Sequence, residues 1–347
     1  MGLLDRFLRP RLSQDSEARL DMTPVHMGAA QLLEEGLSLE RNQLVAEALS
    51  KYEAAIDLLP EFAQAHFQRG NLLLEKGEYT SAVDAYATAI RLKPISASTH
   101  FNMGNAYAAL GRYVEASNAF QQAIRLKPDF ADAELALGSA QEELGQLSAA
   151  VDCYRRALMI DPNYAEAHYN LGLTLKELGK LTLAVESFQR AVEIKSAFFS
   201  AHNCLLFIHN YLNDRATSVM LNEARQFGFL VARHSTPATQ WGNPPQIFRT
   251  LRIGLVSGDL RNHPVGYFLE SVLTAMAANM TKLSVHAYPT YSCDDNTGAR
   301  LKSQCASWCS VVGLSDEQLA NRIREDKIDI LIDLAGHTAN NRLAMFA

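Results

Sequence analysis

Residues 63–94 read AQAHFQRGNLLLEKGEYTSAVDAYATAIRLKP. Apolar and small residues recur at helical spacing on either side of Gly77, and Pro94 closes the stretch. The blocks that follow repeat it at a step of 34 residues. Gly70, Gly104, Gly138 and Gly172 keep that step, as do Gly77, Gly111, Gly145 and Gly179. Pro60, Pro94, Pro128 and Pro162 keep it too, with Ala82, Ala116, Ala150 and Ala184 and the aromatics Tyr86, Phe120, Tyr154 and Phe188. Five independent positions hold one register through four units, so the pattern predicts an array of helix pairs.

A 34-residue period with these residue types is the tetratricopeptide signature. The first glycine marks a close crossing on helix A, and the second marks the turn between helices, where a positive φ is expected. The alanine keeps helix B small at its crossing. The aromatic four residues later is expected to fill the space between pairs, and proline ends the unit. The clear units start at Ala63, Ala97, Ala131 and Ala165, and a weaker one starts near Ala29 with Gln43 in place of the second glycine. After Phe198 the register decays, and residues 200–229 read as helices that cap the solenoid. His66, His100, His168 and His202 fall on one repeat position, which makes them structural rather than a metal site. Asn102 and Asn170 share a helix-A position where amides can clamp the backbone of an extended peptide, while Gln68 only imitates this and Ala136 breaks the series. Solvated polar positions explain the pair equally well.

The composition narrows the function classes. The chain has 347 residues, 48% apolar and 20% charged, enough for two or three packed domains. A formal charge of -6 argues against a protein built to grip nucleic acid. No apolar run approaches the ~20 residues of a membrane helix. The start lacks a secretory signal, and Arg6 stands where a myristoylation motif carries Ser or Thr. A cytoplasmic location is therefore expected. Five scattered cysteines do not make a disulfide framework, and Cys305 and Cys309, read as four apart on one helix, have no second pair to complete a zinc site.

Beyond Val231 the period is lost. His234 to Pro245 is rich in Pro, Ser and Thr and reads as a linker. Strands are expected at Leu251–Ser257, Leu283–Tyr288, Cys309–Val312 and Ile328–Leu334, the first and last fully buried, with helices at Val265–Asn279, Asp294–Ser307 and Ser315–Asp326 between them. This order implies a doubly wound α/β region. The strand order 3-2-1-4 would put the exits of the first and last strands side by side, where such sheets bind ligands. The first exit is GDLRNHPVGY, residues 258–267. Pro264 suits the first helical position, which leaves Asn262 and His263 at the helix mouth. A neutral imidazole there can accept a proton or orient a hydroxyl, or it can simply cap the helix. Gly258 and Gly266 would let a ligand approach the backbone. The second exit carries Gly336, His337 and Thr338. His286, inside a strand, reads as structural.

Taken together, the repeats, the segment RIGLVSGDLRNHPVGYFLE at 252–270 and IDILIDLAGHT at 328–338 resemble the protein O-linked N-acetylglucosamine transferases and their SPINDLY-like bacterial relatives. The resemblance runs from about Ala29 to the end, and the loop at 261–267 is its most specific part. It implies a GT-B glycosyltransferase that moves a sugar, UDP-N-acetylglucosamine being the expected donor, to Ser or Thr of proteins. The donor is a substrate; no cofactor and no metal are implied. On this resemblance His263 matches the proposed catalytic base. Asn262, Gly266, Tyr267, Gly336, His337 and Thr338 form the active-site rim, and Asn102 and Asn170 belong to a ladder that holds acceptor peptides.

The expected organisation is an N-terminal segment 1–28, repeats 29–198, capping helices 199–232, a linker 233–250 and an α/β region 251–347. The fold class is an all-α tetratricopeptide superhelix followed by a partial α/β, Rossmann-like half of a GT-B enzyme. With about four strands where such a half has five or six, the region reads as incomplete, and weak or no activity is expected of this chain alone. Partners are acceptor proteins or extended peptides, not nucleic acid or membrane. The alternative is a non-enzymatic scaffold with a vestigial α/β region.

Overall fold

The computed structural model describes residues 23–93, 96–212, 216–234, 242–243, 248–279, 282–338 and 340–346. Pro94, residues 1–22 of the N-terminal segment and most of the linker lie outside the described residues. The chain divides into two units that meet between Ile194 and Lys195.

Among the described residues the first unit holds five antiparallel helix pairs: α1 (Pro24–Arg41) with α2 (Val45–Leu58), α3 (Ala63–Glu75) with α4 (Tyr79–Leu92), α5 (Ala97–Ala109) with α6 (Tyr113–Leu126), α7 (Ala131–Glu143) with α8 (Leu147–Ile160) and α9 (Ala165–Glu177) with α10 (Leu181–Ile194). Helix α1 begins at Pro24, five residues before the expected start, because Thr23 caps it through the His26 N–H and Pro24 takes the first position.

The helix-A glycine has a specific cause. A Cβ on Gly104 would stand 2.5 Å from the Phe120 ring, and one on Gly138 would stand 2.5 Å from Tyr154. Gly70 meets Tyr86 and Gly172 meets Phe188 in the same way, at 2.7 Å. The aromatic therefore lies over the glycine of its own pair, and the clusters holding Tyr52, Tyr86 and Phe120 also include residues of the next pair, so the ring serves the space between pairs as well. These rings are fully buried. The turn glycines Gly77, Gly111, Gly145 and Gly179 have φ between 71° and 77°, and Gln43 adopts the same left-handed conformation at φ 63°.

The histidine position is structural, as expected. His66, His168 and His202 each place Nε2 within 3.1 Å of a carbonyl six residues back, on Pro60, Pro162 and Ser196. Among the described residues no cluster of His, Cys, Asp or Glu is arranged to hold a metal ion.

The second unit holds α11 (Phe199–His209) and α12 (Thr217–His234), then β1 (Leu251–Ser257), α13 (Pro264–Asn279), β2 (Leu283–Pro289), α14 (Asn296–Gln304), β3 (Ser307–Trp308), α15 (Asp316–Glu325) and β4 (Ile330–Asp333). The parallel sheet has the order β3-β2-β1-β4, as expected. Leu269 and Leu273 of α13 and Leu301 of α14 pack on one face with Ile253, Leu255 and Val285. Leu319 and Ile323 of α15 pack on the other with Val256 and Tyr288. Ser315 and Gln318 form a reciprocal capping box at α15.

Three expectations are corrected. The third strand is Ser307–Trp308, not Cys309–Val312, because α14 already ends at Gln304. Cys305 and Cys309 are accordingly not on one helix: Cys305 follows α14 and Cys309 follows β3. Strand β4 is not fully buried, since Ile330 is 45% and Ile332 is 38% exposed. It pairs with β1, and an apolar cleft of about 170 Å³ opens between Val265, Phe268 and Val272 of α13 and Ile332 and Leu334 beside it.

The repeat geometry makes two substitutions diagnostic. Gly138→Ala forces a methyl into the buried Tyr154 ring and is expected to destabilise the repeats by about 1–3 kcal/mol. Gln43→Gly relieves a left-handed side-chain clash and is expected to stabilise by roughly 0.5–1 kcal/mol. Urea melts followed by helical circular dichroism measure both, and opposite signs are required.

Candidate functional site

Both sequence-selected loops leave the carboxyl edge of the sheet, from the paired strands β1 and β4. In the first, the Val265 N–H donates to His263 Nδ1 at 3.3 Å, so His263 does cap α13. Asp259, nearly buried, places Oδ1 3.9 Å from the same nitrogen. With Nδ1 accepting, the neutral ring carries its hydrogen on Nε2 and offers a donor there. The Tyr267 hydroxyl donates to Asn262 Oδ1, and the Tyr267 N–H donates to the His263 carbonyl at 3.1 Å.

Asp295 holds this loop from the neighbouring segment. It accepts the Asn262 N–H at 2.6 Å on one oxygen and the Gly298 N–H at 2.8 Å on the other, capping α14 as it does so. These backbone donors hold its carboxyl below the usual carboxylate range. Gly266 has a role different from the one expected. Its Cα faces the Arg261 carbonyl, which leaves no space for a side chain, so the glycine closes the loop on itself rather than admitting a ligand. Arg261 lays its guanidinium 4.6 Å from the centre of the Tyr291 ring, in the loop after β2.

In the second loop, Asp333 accepts the N–H groups of Ala335 and Gly336, at 3.2 and 2.7 Å, and turns the chain out of β4. Gly336 takes φ 56° in that turn, and Thr338 donates its hydroxyl to the Ala335 carbonyl at 2.7 Å. His337 is half-buried. Its Nδ1 lies 2.7 Å from Asn203 Oδ1 on α11, and its ring stands edge-on to Phe227 of α12 at 5.7 Å. Burial pushes its pKa below the usual histidine value, against the opposing pull of Asp333.

The structure thus brings Asn262, His263, Gly266 and Tyr267 together on one loop and Gly336, His337 and Thr338 on the other. Asn102 and Asn170 belong to the first unit, and neither amide is presented to solvent. Asn102 Nδ2 donates to Asn71 Oδ1 at 2.9 Å, and Tyr86 donates to that same oxygen, so Asn102 ties one repeat to the next. Asn170 has both amide atoms buried and unpaired. His286 lies between Ser284 and Ser307, at 3.0 and 2.8 Å, in a structural role as expected. Sequence reasoning missed Asp295 and Asn203. Asp295 could have been found, as an N-cap three residues before Gly298. Asn203 carries no local signal, since only the fold brings it to a loop 134 residues away.

A helix-pair solenoid preceding a doubly wound sheet, with two histidine-bearing loops at the sheet's carboxyl edge, defines the class of a repeat-bearing α/β protein. Comparison with known proteins finds likenesses for both stretches. Residues 234–347 match glycosyl transferase family 41, and residues 70–111, 104–145 and 143–179 match the tetratricopeptide repeat. The chain therefore carries a stretch that matches tetratricopeptide repeats, followed by one that matches glycosyl transferase family 41.

It is 33% identical over 146 residues to the probable UDP-N-acetylglucosamine–peptide N-acetylglucosaminyltransferase SPINDLY of Arabidopsis thaliana, a match covering 41% of this chain and 16% of that one. The probable UDP-N-acetylglucosamine–peptide N-acetylglucosaminyltransferase SEC of the same plant is 37% identical over 102 residues, 29% of this chain and 10% of that one. Among solved structures, a mutant of the Thermobaculum terrenum O-GlcNAc transferase superposes with a TM-score of 0.60 at 31% identity, covering 72% of this chain and 48% of that one. The chain spans about a sixth of the SPINDLY length and about half of the solved transferase.

Two measurements probe the site. Asp295→Ala removes the acceptor of two loop amides, so hydrogen exchange at Asn262 and Gly298 is expected to accelerate roughly tenfold, about the worth of a charge-assisted bond. His337 and His286 both have depressed pKa values through burial. From 6.5 down to their folded-state values, these two imidazoles then bind fewer protons in the folded chain than in the unfolded one. Their contribution is complete above the unfolded value and is lost as the pH falls from there through the folded values. Thermal melts between pH 7.5 and 5 are expected to show stability declining on the acid side.

Proposed function

We propose that the protein is a cytoplasmic glycosyltransferase that moves N-acetylglucosamine from UDP-N-acetylglucosamine to Ser or Thr hydroxyls of proteins held by its repeats. The observation that carries this reading is the loop at 261–267 in the family 41 region, with His263 at the mouth of α13 beside the exit of β4. In the reaction the acceptor oxygen attacks the anomeric carbon as the bond to the diphosphate breaks, and the hydroxyl proton must leave. His263 is the catalytic residue of the proposal, held at the helix start; to take that proton at Nε2 it must release the Val265 N–H and carry its own hydrogen on Nδ1, where Asp259 Oδ1, 3.9 Å away, is the facing acceptor. Asn262 and Tyr267 fix that loop, and Gly336, His337 and Thr338 form the facing rim. The reading assigns no cofactor and no metal; the nucleotide sugar is a substrate.

The repeats supply the acceptor site. For an extended backbone to be held there, the buried amide of Asn170 would have to be uncovered, and Asn102 would have to exchange its bond to Asn71. The α/β stretch from Leu251 to Ala347 carries 9 Lys plus Arg against 10 Asp plus Glu, so it offers little positive field of its own for a diphosphate.

Labelled UDP-N-acetylglucosamine and a Ser/Thr-rich peptide, incubated with the longest product of the gene, test the reading. His263→Ala is expected to lower turnover by about 10²-fold or more while donor binding persists, because a group acting on the proton works mainly in the transition state. Turnover near wild type in that variant would reduce His263 to a helix cap.

A further inference from the structure

The loop after β4 is wired to α11 by hydrogen bonds whose direction the backbone fixes. Asn341 Nδ2 donates to the Thr338 carbonyl at 2.7 Å, and Asn341 Oδ1 accepts the Leu343 N–H at 3.3 Å. A carbonyl only accepts and a peptide N–H only donates, so Asn341 has one orientation. Its Oδ1 faces Asn203 Nδ2 at 3.4 Å. That leaves the Asn203 oxygen toward His337 Nδ1, 2.7 Å away. An amide oxygen has nothing to donate, so the hydrogen of this contact belongs to the imidazole.

We infer that Asn203 is a positioning residue for the site: it locks His337 in the Nδ1–H tautomer and so presents Nε2 as an acceptor for a substrate hydroxyl. The identity of that hydroxyl rests on the glycosyl-transfer reading; the tautomer does not. His263 is arranged the opposite way, with Nδ1 accepting from Val265 and Nε2 carrying the hydrogen. One loop thus offers a donor and the other an acceptor, a pairing suited to hydroxyl groups, which do both.

The surroundings of His337 agree with a neutral ring. Asn203 from α11 and Phe227 from α12 are uncharged, and His202, the titratable neighbour from α11, stacks on Phe227 at 5.7 Å. Asp333, on its own loop, favours protonation, and burial outweighs it. The lock also gives α11 a chemical role beyond closing an apolar face.

Nitrogen-15 labelling of the histidines in the 347-residue chain tests the inference through two-bond proton–nitrogen spectra, with His337 assigned by its loss in His337→Gln. The wild type is expected to show the Nδ1–H pattern. Asn203→Asp keeps an acceptor and adds a charge, so the pattern persists and the His337 titration midpoint rises by about 1 or more. Asn203→Leu removes the acceptor, and the ring is expected to shift to Nε2–H or to a mixture. A leucine variant that keeps the Nδ1–H pattern, or an aspartate variant whose midpoint does not move, overturns the inference. If the leucine variant fails to fold, the aspartate variant decides alone. Sugar transfer is not read here, so its failure would sink the proposed activity and leave the tautomer result standing.

Discussion

A glycine on one helix faces an aromatic ring sixteen residues on, and the first unit is built on that contact. Each pair can close to ring-on-backbone distance only because no Cβ intervenes. The same ring is wholly buried, so it contributes both the tight crossing and a large share of apolar burial. Repeating the contact every 34 residues repeats the geometry of the pair, and stacking those pairs buries a continuous core. Where the ring carries a hydroxyl, a polar partner must follow it inside. Tyr86 finds Asn71, and Tyr154 finds Glu142, which also accepts from Thr174 in the next pair and whose pKa burial pushes up. The phenylalanine pairs need no such partner.

The second unit follows a different constraint. Parallel pairing of β1 with both β2 and β4 brings two loop exits to adjacent positions. Each loop is then held by a carboxylate that accepts backbone N–H groups, Asp295 for the first and Asp333 for the second. The site histidines are set by contacts of opposite kind. His263 takes its orientation from the helix it begins, while His337 takes its orientation from an amide on a distant helix.

Much of this was legible in the sequence, for a physical reason. A repeat multiplies each local signal, so the glycine, alanine and aromatic positions could be read four times over. The strand order is the common one for buried runs alternating with helices, and the helix that begins after Ser315 was legible from its local pattern. What the sequence hid was relational. Nothing local says that Asn102 spends its amide on Asn71, that Gly266 faces the Arg261 carbonyl, or that Asn203 reaches His337. The third strand was misplaced because two ladder residues carry too little pattern to outweigh the neighbouring apolar Cys309–Val312 stretch. The burial of β4 was overestimated because apolar residues on both faces do not reveal that one side of the strand lacks a covering layer.

The left-handed glutamine at position 43 gives the solenoid a point of failure. In a stack where each pair leans on its neighbours, local opening begins where the backbone is held least comfortably. Among the five described pairs, the turn of α1–α2 alone bends through a side chain that resists the bend. Amide protection should therefore be lower at that turn than at the four turns that bend through glycine. A protease acting on the repeats would meet its first accessible backbone at that turn, and would leave the later pairs as a trimmed but still stacked core.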